Sequence, residues 1–180
     1  MPISRSRLHG FTLIELMITI VIMAIVLAAA MPAYTVWIQN THIRNAAESI
    51  LNGLQRARAE AVVRNTNIEF ILVDRAWEVR IVGVVGEAGK IDSRPAGEMS
   101  PNIALSIFPA AAPALTTVTF SNLGTVTPNT PASDSINRID IDSTSLSATE
   151  SRDLRIVLGV GGNARMCDPN VGSSTDPRHC

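Results

Sequence analysis

A chain of 180 residues, 46% hydrophobic and 17% charged, with a formal net charge of −1, has the length of one globular domain. Near-neutrality removes any global electrostatic case for a nucleic-acid or acidic-surface partner and leaves only local basic patches to consider.

The first ten residues carry Arg5, Arg7 and His9 and no acid, and no Lys or Arg occurs again until Arg44. This asymmetry holds the N-terminus in the cytoplasm, so everything after about Tyr34 belongs on the far side of a membrane. From Leu16 to Ala33 the sequence is apolar except for Thr19. A helix from Phe11 to Tyr34 would be about 36 Å long, enough to cross a bilayer. Glu15 stands at its mouth, and an ionised carboxylate inside hydrocarbon costs on the order of 2.5 kcal/mol or more, so the residue calls for a partner. Three plainer readings compete. A secretory signal peptide fits Arg5, Arg7 and the small residues Ala28-Ala29-Ala30, but the apolar run is too long and Glu15 is misplaced. The others are a simple single-span anchor and a buried helix of a soluble protein, and the second needs no uncharged run of this length.

A short basic leader ending in Gly10, then Phe11-Thr12-Leu13-Ile14-Glu15-Leu16 and an apolar helix, resembles the class III signal of type IV pilins and type II secretion pseudopilins. The resemblance implies cleavage by a prepilin peptidase between Gly10 and Phe11, N-methylation of Phe11, and assembly with other pilin or pseudopilin subunits. It extends to Pro32, since family members carry a proline in the long helix. Proline removes a backbone donor and clashes with the preceding turn, so a kink or a locally melted stretch is expected there.

Helical periodicity continues beyond the apolar run. Ile43, Ala47, Ile50, Leu54, Ala57 and Ala61 recur at spacings of four and three, while Arg44, Glu48, Arg56, Arg58, Glu60 and Arg64 fall elsewhere. Residues 35–65 thus form the amphipathic half of one helix whose first half is residues 11–34, and Asn65-Thr66-Asn67 ends it. From residue 66 to 180 short runs rich in Ile, Val, Thr and Phe predict strands at Ile68 to Val73, Trp77 to Val85, Leu115 to Phe120, Arg138 to Ile141, Leu154 to Val160 and Ala164 to Cys167. Asp74-Arg75-Ala76 and Gly161-Gly162-Asn163 read as hairpin turns. Gly86 to Pro113, with four prolines, reads as a long surface loop with at most a short strand near Ile103 to Phe108, and a second loop runs from Thr127 to Ser135. The fold class is α+β: a long N-terminal helix packed on a small antiparallel sheet or sandwich.

Cys167 and Cys180 lie on the oxidising side and are expected to pair, closing a tail of Gly, Ser, Asp and Pro at a gain of roughly 3 kcal/mol. Two cysteines and the adjacent His179 do not make a metal site. Asp140 and Asp142 alternate with Ile139 and Ile141, as outward residues of a strand do. His9, His42 and His179 converge on no Ser or Cys nucleophile, and no phosphate loop or metalloprotease motif occurs, so neither enzyme chemistry nor a cofactor is expected.

The helix end Arg56-Ala57-Arg58-Ala59-Glu60-Ala61-Val62-Val63-Arg64-Asn65 and the segment Arg155 to Pro169 resemble the GspH/FimT branch of the family. That resemblance implies a minor pilin or minor pseudopilin in the bacterial inner membrane, its C-terminal domain in the periplasm. Three functions follow: a structural minor pilin that primes or caps a type IV pilus, a minor pseudopilin of a type II secretion system, or a DNA-binding minor pilin. The last would use a Gly-Arg-x-Arg motif whose counterpart is Gly162-Asn163-Ala164-Arg165, where Asn163 replaces the first arginine and brings no charge. Arg152, Arg155, Arg165 and Arg178 would have to gather into a patch.

Overall fold

A computed structural model describes residues 10–109, 116–130 and 133–180. The leader residues Arg5, Arg7 and His9, Leu115 at the head of an expected strand, residues 110–113 of the first expected loop and residues 131–132 of the second lie outside the described residues. A single helix, α1, runs from Leu13 to Arg64, and the chain divides into two units, Met1–Trp37 and Ile38–Cys180.

In the first unit every described residue from Gly10 to Thr35 is exposed. The helix continues through Pro32, so the melted stretch expected there is absent. Proline deletes one hydrogen bond from a ladder that is intact on either side, and the Thr35 hydroxyl donates to the Pro32 carbonyl at 2.8 Å.

In the second unit the helix presents Ile43, Ala46, Ala47, Ile50, Gly53, Leu54, Ala57 and Ala61 as a buried stripe. It ends in a Schellman motif: Thr66 N–H donates to the Ala61 carbonyl, Asn65 N–H donates to Val62, and Asn65 adopts the left-handed conformation at φ 51°. An amide side chain tolerates that conformation better than most, and this is why Asn stands there.

Nine strands follow: β1 (Ile68–Val73), β2 (Ala76–Ile81), β3 (Lys90–Arg94), β4 (Ile103–Phe108), β5 (Thr117–Phe120), β6 (Val126–Thr127), β7 (Arg138–Ser143), β8 (Leu154–Leu158) and β9 (Ala164–Cys167). They build two antiparallel sheets, one ordered β3-β2-β1-β5-β6 and the other β4-β7-β8-β9. Strand period dictates the core. Ile68, Phe70 and Leu72 of β1 share a face with Trp77 and Val79 of β2 and with Val118 and Phe120 of β5. In the second sheet Ile139 and Ile141 of β7 share a face with Ile156 of β8, and both sheets and the helix stripe contribute to one hydrophobic core.

Three expectations about this region need correction. The Gly86 to Pro113 stretch is not one long loop, because it holds β3 and two short 3-10 turns as well as β4. Strand β3 reads Lys-Ile-Asp-Ser-Arg, an edge strand with a single apolar residue, so it lacks the hydrophobic alternation that marks half-buried strands. The prolines punctuate rather than dissolve structure, Pro95 following β3 and Pro109 following β4. Strand β2 stops at Ile81 rather than Val85, because the chain turns there: Val82 N–H still donates to the Asn67 carbonyl, but Gly83 takes φ 79° and Val84 N–H folds back onto the Ile81 carbonyl. Likewise β8 stops at Leu158 rather than Val160, where Gly159 N–H donates to the Asn163 carbonyl and opens the hairpin turn.

Candidate assembly interface

At the start of α1, Thr12 is the N-cap. Its Oγ1 accepts from the Glu15 N–H at 3.3 Å and its carbonyl accepts from the Leu16 N–H at 3.2 Å. Thr12 and Glu15 have the spacing of a capping box, in which the acid would reach back to the cap. Capping as observed uses only the backbone N–H of Glu15, which any non-proline residue supplies. Among the described residues no hydrogen bond or ion pair engages the Glu15 carboxylate, although the helix dipole favours a negative charge in this first turn.

The surroundings have the same character. Phe11 is 85% exposed, and Gly10 is exposed, with nothing among the described residues within 4 Å of where a Cβ would project. Leu13, Ile14, Leu16, Met17, Ile18, Ile20 and the large apolar residues that follow to Met31 are all more than half exposed. The helix is long and apolar enough to cross a membrane. A soluble monomer rarely shows so continuous an apolar surface, which makes this stretch a candidate for cover by a bilayer or by neighbouring subunits.

The C-terminal arginines are mostly committed within the fold. Arg155 makes a bidentate pair with Asp140 across β7 and β8, Nε to Oδ1 at 2.6 Å and Nη2 to Oδ2 at 3.0 Å, which pushes the Arg155 pKa up. Arg178 likewise forks onto Asp176 at 3.1 and 2.8 Å, and its hydrogen bonds hold the Asp176 carboxyl down at about 2. Arg165 donates to the Cys180 carbonyl at 3.0 Å while staying exposed. Arg152 is exposed, and its backbone N–H donates to Asn40 Oδ1 at 2.8 Å. Asn163 belongs to the β8–β9 turn, where its Oδ1 would sit 2.6 Å from a Cβ on Gly159. A disulfide joins Cys167 to Cys180 with the Cα atoms 5.2 Å apart, and the enclosed loop is laced by Asp168 N–H to the Arg178 carbonyl at 2.7 Å and by His179 Nδ1 against the Val171 carbonyl at 2.7 Å. Among the described residues no group of three or more His, Cys, Asp or Glu gathers as a metal site.

Three features escaped sequence reasoning. Asn129 is a buried hub that accepts from Thr119 Oγ1 at 2.9 Å and donates to the carbonyls of Thr117 and Asp134, pinning the loop after β6 over the outward face of β5. Asn40 clamps the backbone of Glu150 and Arg152. Arg58 donates to the Gly124 carbonyl at 3.0 Å, beside a groove of about 570 Å³ lined by Gln55, Ala59, Val62, Val63, Gly162 and Ala164 among others. Side-chain amides and a lone arginine carry no periodicity to betray such roles.

Two family models together match most of the chain. Residues 5–31 match the prokaryotic N-terminal methylation motif, and residues 46–162 match the family model of type II transport protein GspH. No curated protein gives a significant match. Two crystal forms of the type IV minor pilin FimU of Pseudomonas aeruginosa (strain PAO1) are similar. One has a TM-score of 0.53 at 14% identity, covering 72% of this chain and 91% of that one; the other has 0.48 at 16%, covering 68% and 90%. The first of these likenesses shows the pilin fold, a long N-terminal helix packed on antiparallel sheets. The family model spans more than half of the 180 residues, and the chain belongs to the GspH family, with a prokaryotic N-terminal methylation motif at its head.

Proposed function

We propose that this protein is a structural minor pilin of a type IV pilus, assisting the initiation or capping of pilus assembly. In this reading a prepilin peptidase cuts after Gly10 and Phe11 is N-methylated. Residues 11–34 hold the subunit in the bacterial inner membrane, with its β domain in the periplasm, until it joins the fibre. Its work is assembly rather than catalysis, and it takes no cofactor. The observation that carries the reading is the exposed apolar half of α1, led by exposed Gly10 and Phe11 and by a Glu15 carboxylate unengaged among the described residues. Glu15 meets the free amine of a neighbouring subunit's Phe11 in a charge-assisted contact. Such a joint fixes axial register, because a misplaced Glu15 stays unpaired in an apolar bundle.

Mass spectrometry of the mature protein should find N-methylated Phe11 as its first residue. Glu15→Gln and Glu15→Leu separate charge from shape: Gln leaves the Thr12 cap intact and keeps a polar group of similar size, yet both variants should be lost from sheared pili. Normal incorporation of Glu15→Gln would refute the register role.

A minor pseudopilin of a type II secretion system is favoured by one observation, the family description matched by residues 46–162. Deleting the gene discriminates: loss of surface pili supports the first reading, and loss of secreted proteins with pili intact supports the second. A DNA-binding role draws on exposed Arg165 beside Asn163 and on Arg152, the two candidate arginines not held in ion pairs among the described residues. Gel shifts of residues 35–180 at two salt concentrations, with Arg165→Ala as control, test it.

A further inference from the structure

We propose that Tyr34 and Trp37 form an aromatic anchor that seats α1 in the headgroup layer on the far side of the bilayer and so sets the depth at which the subunit waits before assembly. The inference rests on the membrane reading of α1. The chain is poor in aromatics, at 4%, with one tyrosine and two tryptophans. That tyrosine and one of the tryptophans stand three residues apart on α1, their ring centroids 6.0 Å apart and their planes inclined by 30°. Both are exposed, Tyr34 by 59% and Trp37 by 63%, whereas Trp77 is buried in the domain core.

Position along the helix matches a bilayer. Between Thr12 and Ala33 there is no aromatic residue; Phe11 marks one end of the apolar run and the Tyr34–Trp37 pair the other. With Phe11 at the inner edge of the hydrocarbon, about 30 Å of helix reaches roughly to Met31. Tyr34 and Trp37 then fall about 5 to 9 Å beyond, in the interfacial layer. Helical side chains lean toward the N-terminus, so both rings reach back over the preceding turn toward the hydrocarbon boundary. An indole or phenol is suited to that layer, its apolar ring against acyl chains and its N–H or O–H among headgroups. The polar run Gln39-Asn40-Thr41-His42 begins just past the pair, as expected of a segment leaving the membrane.

The test is fluorescence of the full chain in phosphatidylcholine vesicles whose acyl chains are brominated either near the glycerol end or near the methyl end. Subtracting the emission of Trp37→Phe isolates Trp37 from Trp77. Trp37 should lose roughly twice as much emission to the shallow bromines as to the deep ones, the contrast expected of a ring at the interface. Met23→Trp in the Trp37→Phe background is the internal control and should be quenched most by the deep bromines. Stronger deep than shallow quenching of Trp37 would overturn the anchor. So would an unquenched Trp37 beside a quenched Met23→Trp, which would mean that the pair faces water or protein. If neither reporter is quenched by either lipid, the membrane reading itself fails.

Discussion

Replacing Gly53 with alanine sets two known effects against each other. In an exposed helix the change would stabilise by about 1 kcal/mol, because glycine is the poorer helix former. Here an added Cβ would lie 2.7 Å from Phe70 Cε2 and 3.2 and 3.3 Å from two atoms of the Trp77 ring. Neither ring can retreat cheaply. Phe70 is fully buried, the ring centroids are 5.9 Å apart, and Trp77 Nε1 donates to Ser49 Oγ at 2.9 Å on the same helix. Overpacking of this kind costs about 1 to 3 kcal/mol. With two rigid neighbours the upper part of that range applies, leaving a net loss of about 1 to 2 kcal/mol, or a fall in Tm of about 4 °C for a domain of this size. The buried core lies wholly within Ile38–Cys180, so thermal melts of residues 38–180 followed by near-UV circular dichroism read the effect. Asn52→Ala at the adjacent exposed position is the control and should gain a few tenths of a kcal/mol. Adding Phe70→Leu should make Gly53→Ala close to neutral, a coupling that only contact produces. A Gly53→Ala domain that melts at or above the wild-type temperature would refute close packing of the helix on Phe70 and Trp77.

Asn129→Ala should destabilise the domain by about 2 kcal/mol, read as a lower urea midpoint, because it strips partners from Thr119 and from the carbonyls of Thr117 and Asp134. Replacing Cys167 and Cys180 together with serine should cost roughly 3 kcal/mol and make the melting temperature insensitive to reductant. A carboxyl-carbon NMR titration should place the midpoint of Asp176 at about 2, and Arg178→Ala should return it toward 3.8. Because the folded-state value is depressed, the Asp176–Arg178 pair favours the folded loop fully above the ordinary carboxylate range, and that contribution fades as the pH falls toward 2.

Features whose physics is periodic or contiguous were readable in the chain. The stripe from Ile43 to Ala61 repeats at helical spacing, and each of its six named members is buried. The hairpins turn at Asp74-Arg75, with Asp74 at φ 54°, and at Gly162, with φ 77°, where the residue types themselves tolerate the required backbone. Strand β3 was not readable, because a charged edge strand owes its conformation to the neighbour it pairs with, here Trp77 to Arg80 of β2, and not to its own pattern. The division into two sheets was equally hidden. Their order depends on which strands meet across long separations, as when Ile68 of β1 finds Phe120 of β5, and composition does not encode that choice.

The two ends of the candidate interface differ for the same reason. Gly10 to Leu16 is a run of seven consecutive residues, so the acid and the start of the apolar run are legible in the sequence alone, whereas the Thr12 cap emerges only from the hydrogen bonds at the start of α1. The arginines near the C-terminus depend on partners that only strand register supplies. Arg155 stands opposite Asp140 in the β7–β8 ladder, and a bidentate pair at 2.6 and 3.0 Å leaves it little freedom to reach a phosphate. Breaking that pair to bind nucleic acid would forfeit a contact at a half-buried site, where an abandoned Asp140 has Arg138 at 3.6 Å as its remaining cation. The first arginine of the motif is already Asn163, and the turn holds that residue's Oδ1 against Gly159. Counterion release scales with the number of cations brought to phosphate, so a surface reduced to Arg152 and Arg165 would gain far less from it than a chain carrying the full motif. Among the described residues the Glu15 carboxylate, by contrast, has no internal partner to give up, so association with a membrane or with neighbouring subunits would cost it no contact within the fold.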